Sequence, residues 1–389
     1  MVVKALIALL VIVLAAAGFL LVKGPAQPAA VSTGGHLAAL LPRDAEGYAT
    51  VNGPWRFSFP ADHGAHSDYR TELWHFSGNL TSRQGRPYGF QLTFFRIGVK
   101  PPGAPMGPSA WAARDLYWAQ FALTDAASNR FHAFERFDRA AMGLSGSEPP
   151  PVRVWVGDWV MEARGDGGDD PTFHLRAGQE ELRIALSLRN AKPPLDPVAA
   201  AGGRGESGAL GTFHGYLMTR LVARGTIQTG KQKHEVEGHA WLDRGWGAVP
   251  VPVGPVVWDR FLLHFDDGRE LAALRLRRRD GSGEPVVTGM LVERDGSART
   301  LAQHDLSVTV ADHWTSPRDG TRSPARWRLH IPDEALEIEL TPYVAGQERR
   351  LALRSWAGAV RLAGQADGRA ISGSGYVEAA GYGEVPHGK

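Results

Sequence analysis

The sequence predicts an all-β protein of two domains, and three observations carry the prediction. Short apolar or period-two runs recur at residues 88–96, 118–125, 153–162, 182–189, 212–221, 258–265, 271–276, 286–294, 326–331, 336–340, 351–356 and 375–379. Turn formers such as Asp266-Asp267-Gly268, Asp280-Gly281, Asp295-Gly296 and Asp367-Gly368 separate them. Among 389 residues, 12 Trp accompany 47 Gly and 26 Pro, a mixture of aromatics and turn residues that suits strands and hairpins. Many strands at this spacing point to a barrel or sandwich rather than to βαβ units.

In chain order, the first element is an apolar segment. Residues 5–22 carry no charge between Lys4 and Lys23. As a helix they would span roughly 27 Å, close to the hydrocarbon core of a bilayer. The run exceeds the usual apolar core of a secretion signal. An uncleaved single-pass inner-membrane anchor is expected, with a cleaved signal and a secreted body as the alternative. Lys4 and the start amine favour a body facing the periplasm. Residues 24–50 are a linker rich in Gly, Pro and Ala in their first part, followed by domains at 51–235 and 236–384. The stretch 193–209, rich in Gly, Ala and Pro, reads as a long loop of the first domain.

Composition excludes several classes. Lys+Arg 43 against Asp+Glu 41 leaves a net charge of +2, with no global pull toward nucleic acid. The absence of Cys removes disulfides, thiolate metal sites, cysteine nucleophiles and lipid attachment through cysteine. No glycine-rich dinucleotide or phosphate loop and no Gly-x-Ser-x-Gly elbow is present, so no cofactor is expected. His63, His66 and His75 match no metal-ligand spacing on one strand face, and no metal is expected.

The densest chemistry lies in residues 68–80. Asp68, Arg70, Glu72, Trp74 and His75 put two acids, an arginine, an indole and an imidazole into eight residues, with Arg96 close behind. Buried charge must be paired, so the segment reads either as one wall of an apolar ligand pocket or as an ion-pair network fixing a barrel rim.

Several of these stretches resemble one family. Residues 59–66 (FPADHGAH), 69–80 (YRTELWHFSGNL), 90–96, 119–125, 130–137 and 154–159 are similar to elements of the AttH and carotenoid 1,2-hydratase family, as are 238–247 (GHAWLDRGWG) and 258–271. The resemblance runs over about 55–382. It implies two lipocalin-like (calycin-type) antiparallel β-barrel domains, behind the N-terminal transmembrane helix. Barrels of about eight strands beside a membrane tether suit a binder of a lipophilic, lipid- or isoprenoid-like molecule, and the resemblance adds a hydratase, adding water to an isoprenoid double bond, as the alternative. An accessory of an exporter complex is a third reading. Arg244 stands where the family usually has His, and Arg260 where it usually has Trp.

A hydratase needs a carboxylic acid held neutral in an apolar site, and indoles to stabilise a carbocation. On that scheme Asp243 is the donor and Asp259 a second candidate acid, with Trp241, Trp246 and Trp258 lining the cation. Arg244 beside Asp243 would favour the ionised carboxylate instead. The plainer reading pairs Asp243 with Arg244 or a backbone amide and makes the tryptophans core. Asp68, Arg70, Glu72, Trp74, His75, Trp241, Arg244, Trp246 and Trp258 form the expected ligand-binding set. His132, Glu135 and Arg136 read as structural.

Overall fold

The computed structural model describes residues 46–165, 171–197, 213–247 and 256–382. They form two large antiparallel sheets and almost no helix. The first holds β1 (Thr71–Ser82), β2 (Pro87–Gly98), β3 (Asp115–Asp125), β4 (Arg130–Arg139), β5 (Ser145–Glu148), β6 (Arg153–Val156), β7 (Trp159–Arg164), β8 (Thr172–Gln179), β9 (Leu182–Asn190), β10 (Phe213–Thr229) and β11 (Gln232–Gly247). Their order is 4-3-2-1-11-10-9-8-7-6-5. The sheet curls until its two edges meet through side chains. Tyr117 on β3 donates to Ser147 Oγ on β5 at 2.9 Å, and Arg136 on β4 donates to Gln179 Oε1 on β8 at 3.0 Å.

The second sheet holds β12 (Val256–Phe265), β13 (Glu270–Arg278), β14 (Val286–Val292), β15 (Ala298–Leu301), β16 (Ser307–Thr315), β17 (Arg322–Ile331), β18 (Leu336–Pro342), β19 (Glu348–Arg350), β20 (Arg354–Ala366) and β21 (Arg369–Ala380). The order is 15-14-13-12-21-20-18-17-16, with β19 on β20. In both sheets the first strand pairs with the second and with the last.

Strand alternation sorts the side chains. On β11, Ala240, Leu242 and Trp246 enter the first core, while Trp241 and Asp243 face outward. On β12, Phe261, Leu263 and Phe265 enter the second core, and Arg260 and His264 face outward. The outer faces of β1, β2 and β11 lie against those of β12, β20 and β21, forming a seam between the two barrel-like sheets. Val51, Trp55, Phe57 and Phe59 pack onto the first core, so the segment entering the body helps fill that barrel.

The expected boundary between residues 235 and 236 is corrected. It would cut β11, which pairs with both β1 and β10, so the first sheet continues to Gly247 and the second begins at Val256. The partner that claims β11 is β1, more than 150 residues away, and local pattern carries no trace of that pairing. The run at 153–162 is a hairpin, β6 and β7, turned at Gly157 with φ +60°. Strands β1, β4, β5, β8, β11, β15, β16 and β19 lie outside the expected runs. The expected anchor at 5–22, most of the linker and residues 198–209 of the expected loop lie outside the described residues. Among the described residues no helix is long and apolar enough to cross a membrane.

Candidate functional site

Two charge clusters share β1, β2 and β11 but occupy opposite faces. The first lies inside the first barrel. Glu72 is fully buried. Arg96, directly opposite it on β2, donates from Nε at 2.6 Å. Arg244 on β11 donates to the other carboxylate oxygen, and the His66 amide donates to both at 2.8 and 2.9 Å. Arg96 also reaches Asp115 at 2.6 Å and the carbonyls of His66 and Tyr69. Arg244 reaches the carbonyls of Gly245 and Gly64 at 2.8 and 2.5 Å. Its guanidinium stacks over Trp74 at 4.0 Å and Trp246 at 4.9 Å, and the Trp246 indole is covered in turn by His66 at 3.8 Å. Burial opposes the Glu72 charge, but Arg244 and Arg96 hold its carboxyl well below the usual range. The arrangement ties three strands to the 60–66 segment.

The second cluster lies in the seam. Asp243 pairs with Arg260 of β12, and Arg260 donates on to Glu378 of β21 at 3.1 Å. Arg349 donates to Glu378 at 3.1 Å and to Gln91 Oε1 of β2 at 2.6 Å, where the Tyr376 hydroxyl also donates at 3.2 Å. Gln91 donates to Thr93 Oγ1, which lies 2.9 Å from His75 Nδ1. His75 Nε2 is buried without a hydrogen-bond partner, as is Trp241 Nε1 on the same face of the first sheet. Burial, with Arg260 adding, drives the His75 imidazole down to about 3, so it is neutral at any ordinary pH. Arg260 and Arg349, against burial, hold Glu378 at about 2. Burial raises Asp243 above the usual carboxylate range, against the pull of Arg260 and with Glu378 adding.

The expected site residues therefore scatter. Glu72, Trp74, Arg244 and Trp246 are in the first core, where they brace it. His75, Trp241 and Asp243 face the seam, and Trp258 shares the parity of Arg260 on β12. Asp68 is exposed, and Arg70 lies beside the Tyr48 ring. Asp259 is buried inside the second barrel, bound to Arg275 at 2.8 Å and to the Tyr382 hydroxyl at 3.0 Å, away from Asp243. Two readings are corrected. Arg244 does not neighbour the Asp243 carboxylate, because consecutive strand residues face opposite sides; Arg260 supplies that partner. Trp241 and Trp246, five apart, cannot line one cation site for the same reason. His63 is the last residue of a 3-10 turn rather than part of a strand, and its Nδ1 lies 2.5 Å from the Tyr216 hydroxyl. Among the described residues no group of three or more His, Asp or Glu is placed to hold a metal ion.

Sequence reasoning missed Glu378, Arg349, Gln91 and Tyr376. The signal was faint: Tyr376 and Glu378 alternate with buried Val377 and Ala379, which marks a strand whose outer face is polar. It also missed a second tie across the seam. Lys192 donates to Glu270 at 2.7 Å, and Arg220 of β10 takes the other oxygen. Glu135, expected to be structural, accepts from Trp118 at 3.0 Å and from the Ala352 amide of the second half at 2.8 Å.

Comparison with known proteins agrees with this architecture. The AttH-like family profile matches residues 50–382. A crystal structure of an AttH from Nitrosomonas europaea is 28% identical, covers 86% of this chain and 99% of its own, and superposes with a TM-score of 0.71. Kievitone hydratase from Nectria haematococca is 15% identical, covers 87% of this chain and 97% of its own, with a TM-score of 0.62, and so shares the fold. No curated protein matches the sequence.

Proposed function

Since the chain belongs to the AttH-like family, we propose that it binds a lipophilic small molecule bearing one or a few polar groups, held in the seam between its two lipocalin-like barrels. One observation carries this reading. His75 is a neutral, buried imidazole with an unpartnered nitrogen, set beside the Asp243–Arg260–Glu378 chain. An unsatisfied buried donor or acceptor costs about 1–3 kcal/mol, and a ligand hydroxyl or carbonyl would recover it. Trp241, Tyr376, Leu262 and Ala359 supply apolar surface on the same faces. The filled interior of the first barrel supports a ligand between the barrels rather than within that one. The reading includes the single-pass anchor at 5–22 with the body in the periplasm, a place suited to lipid or isoprenoid cargo. An exporter complex remains a partner of that tethered form to be sought by co-purification.

A hydratase is the second reading, favoured by the raised Asp243 carboxyl and by the fold shared with kievitone hydratase. The carboxylic acid would pass its proton to an alkene carbon. Water would add to the resulting cation and return a proton to the carboxylate. The Arg260 contact opposes this, because it favours the ionised form. Native mass spectrometry of the purified protein tests binding directly, and a spectrum without any bound lipophile after mild ionisation would count against it. Asp243→Asn separates the two functions. A binder keeps its ligand, whereas a hydratase keeps the ligand and loses incorporation of labelled water.

A further inference from the structure

Five of the large apolar side chains exposed among the described residues lie on two loops: Val99, Met106 and Trp111 between β2 and β3, and Met142 and Leu144 between β4 and β5. Antiparallel register brings both loops to one end of the first barrel, since Gly98 is opposite Asp115 and Leu116 opposite Arg139. The loops are joined there, with Arg139 donating to the Trp111 carbonyl at 3.4 Å and the Ala140 amide to the Asp115 carbonyl at 2.9 Å. Trp111 is 55% exposed and Met142 67%. Single exposed apolar residues are ordinary, but a cluster on one end marks a surface that is covered in use.

The longer loop is shaped from within. The Arg114 guanidinium donates to the carbonyls of Pro101 and Ala104 at 2.5 and 3.0 Å. Residues 99–114 hold Lys100 and Arg114 and no acid, and the loop at 140–144 is uncharged and follows Asp138-Arg139. Apolar tips with basic flanks match the headgroup region of an anionic bilayer. A two-fold contact between copies of the chain would set these basic loops against one another.

A second observation concerns where the N-terminal chain meets the body. The Tyr48 ring lies against Gly98, where an added Cβ would fall 2.5 Å from the hydroxyl. A Cβ on Gly47 would meet the Pro101 ring at 2.9 Å, and the Ala49 amide donates to the Asp68 carbonyl at 2.8 Å. The described chain thus enters the body at the root of the β2–β3 loop.

We propose that this end of the first barrel is a lipid-facing surface, with Met106, Trp111, Met142 and Leu144 entering the headgroup region of the bilayer that holds residues 5–22. The inference rests on the anchor in the functional reading above but not on what occupies the seam.

The chain has no Cys, so Met106→Cys, Met142→Cys and, on β14 of the other sheet, Val286→Cys each give a single labelling site. The full chain, labelled with an environment-sensitive fluorophore, is reconstituted in phosphatidylcholine–phosphatidylglycerol vesicles. Labels at 106 and 142 are expected to shift to the blue and to be quenched by spin-labelled lipid, with neither effect at 286. Adding Trp111→Glu and Leu144→Glu to Met142→Cys should abolish both effects. Protein that floats with the vesicles while all three labels stay equally exposed would overturn the lipid-facing surface and leave the anchor standing. Protein that fails to float would overturn both. A blue shift without quenching by spin-labelled lipid would mean protein contact and would also overturn the proposal.

Discussion

Arg244 and Asp243 are adjacent on β11, yet they belong to clusters of different character. The inner one, Glu72 with Arg96, Arg244 and Asp115, closes on its central carboxylate: the Glu72 and Arg244 side chains have no exposed surface, and both Glu72 oxygens are bound by more than one donor, although Arg244 Nε has no hydrogen-bond partner. The outer one is equally balanced in charge, with Asp243 and Glu378 facing Arg260 and Arg349. It differs in that Asp243, Arg260 and Glu378 are all 14–20% open, where Glu72, Arg96 and Arg244 are at most 1% open, and in carrying a neutral imidazole, His75, with an unused nitrogen. A closed, dry carboxylate suits a brace, and a partly open ion-pair chain suits a place where something binds. Charge among aromatics in a sequence does not by itself distinguish the two.

The comparison breaks most directly at Glu72. Glu72→Gln keeps the shape but turns one acceptor oxygen into a donor facing an arginine or the His66 amide. The buried Arg244 guanidinium then loses its counter-ion and Arg96 keeps only Asp115, which costs about 3–5 kcal/mol. Urea denaturation at neutral pH should record that loss, whereas Asp243→Asn, at a partly open site, should lose clearly less. Equal losses would erase the distinction between brace and binding cluster.

The seam itself can be forced. Gly89 on β2 faces β20 so closely that an added Cβ would lie 2.2 Å from Ala359 Cβ. Gly89→Ala must push the two sheets apart, and overpacking of this kind costs about 1–3 kcal/mol. The damage should fall on the seam. Ligand binding should weaken by more than the stability loss explains, and limited proteolysis should reveal separation of the halves. Unchanged ligand affinity in this variant would move the binding site away from the seam.

Much of this was legible in the sequence, and the limits have physical causes. Period-two runs and turn residues marked most strands, and the ordered motifs from Trp55 onward marked the family. The partners of the charges were not legible. Glu72 and Arg96 meet because β1 and β2 form a hairpin in a fixed register, which motif reading came near to. Asp243 and Arg260 meet because two sheets pack face to face, and no local pattern encodes that. The assignment of Arg244 to Asp243 followed adjacency in sequence where alternation should have ruled. The Lys192–Glu270–Arg220 tie was hidden for the same reason as Glu378, since its members come from both sheets.

The smallest expected effect tests His75 through pH. Its folded value of about 3 lies below the ordinary 6.5. Between these values the unfolded chain takes up a proton that the folded protein refuses. His75 therefore leaves stability intact above about pH 6.5 and erodes it as pH falls toward 3. Carboxylates held low, such as Glu378, add a loss of the same sign only below about pH 4.5. The window between 6.5 and 4.5 is shared by the histidines held low, His75 and His264 with His132, His214 and His239, and is opposed by the raised carboxyls of Asp243, Asp259 and Glu135, so it is the difference between parent and variant that reports His75. His75→Gln retains a hydrogen bond to Thr93 and removes one of these protons. Relative to the parent, the variant should gain about 1 kcal/mol of urea stability on going from pH 7 to about pH 5.5. A bound ligand that accepts a hydrogen bond from His75 should leave this slope in place, whereas an ionised ligand carboxylate should flatten it by stabilising the imidazolium. The same titration in the presence of ligand thus reads the charge of the group that His75 faces, and an identical slope in parent and variant would remove His75 from the seam chemistry altogether.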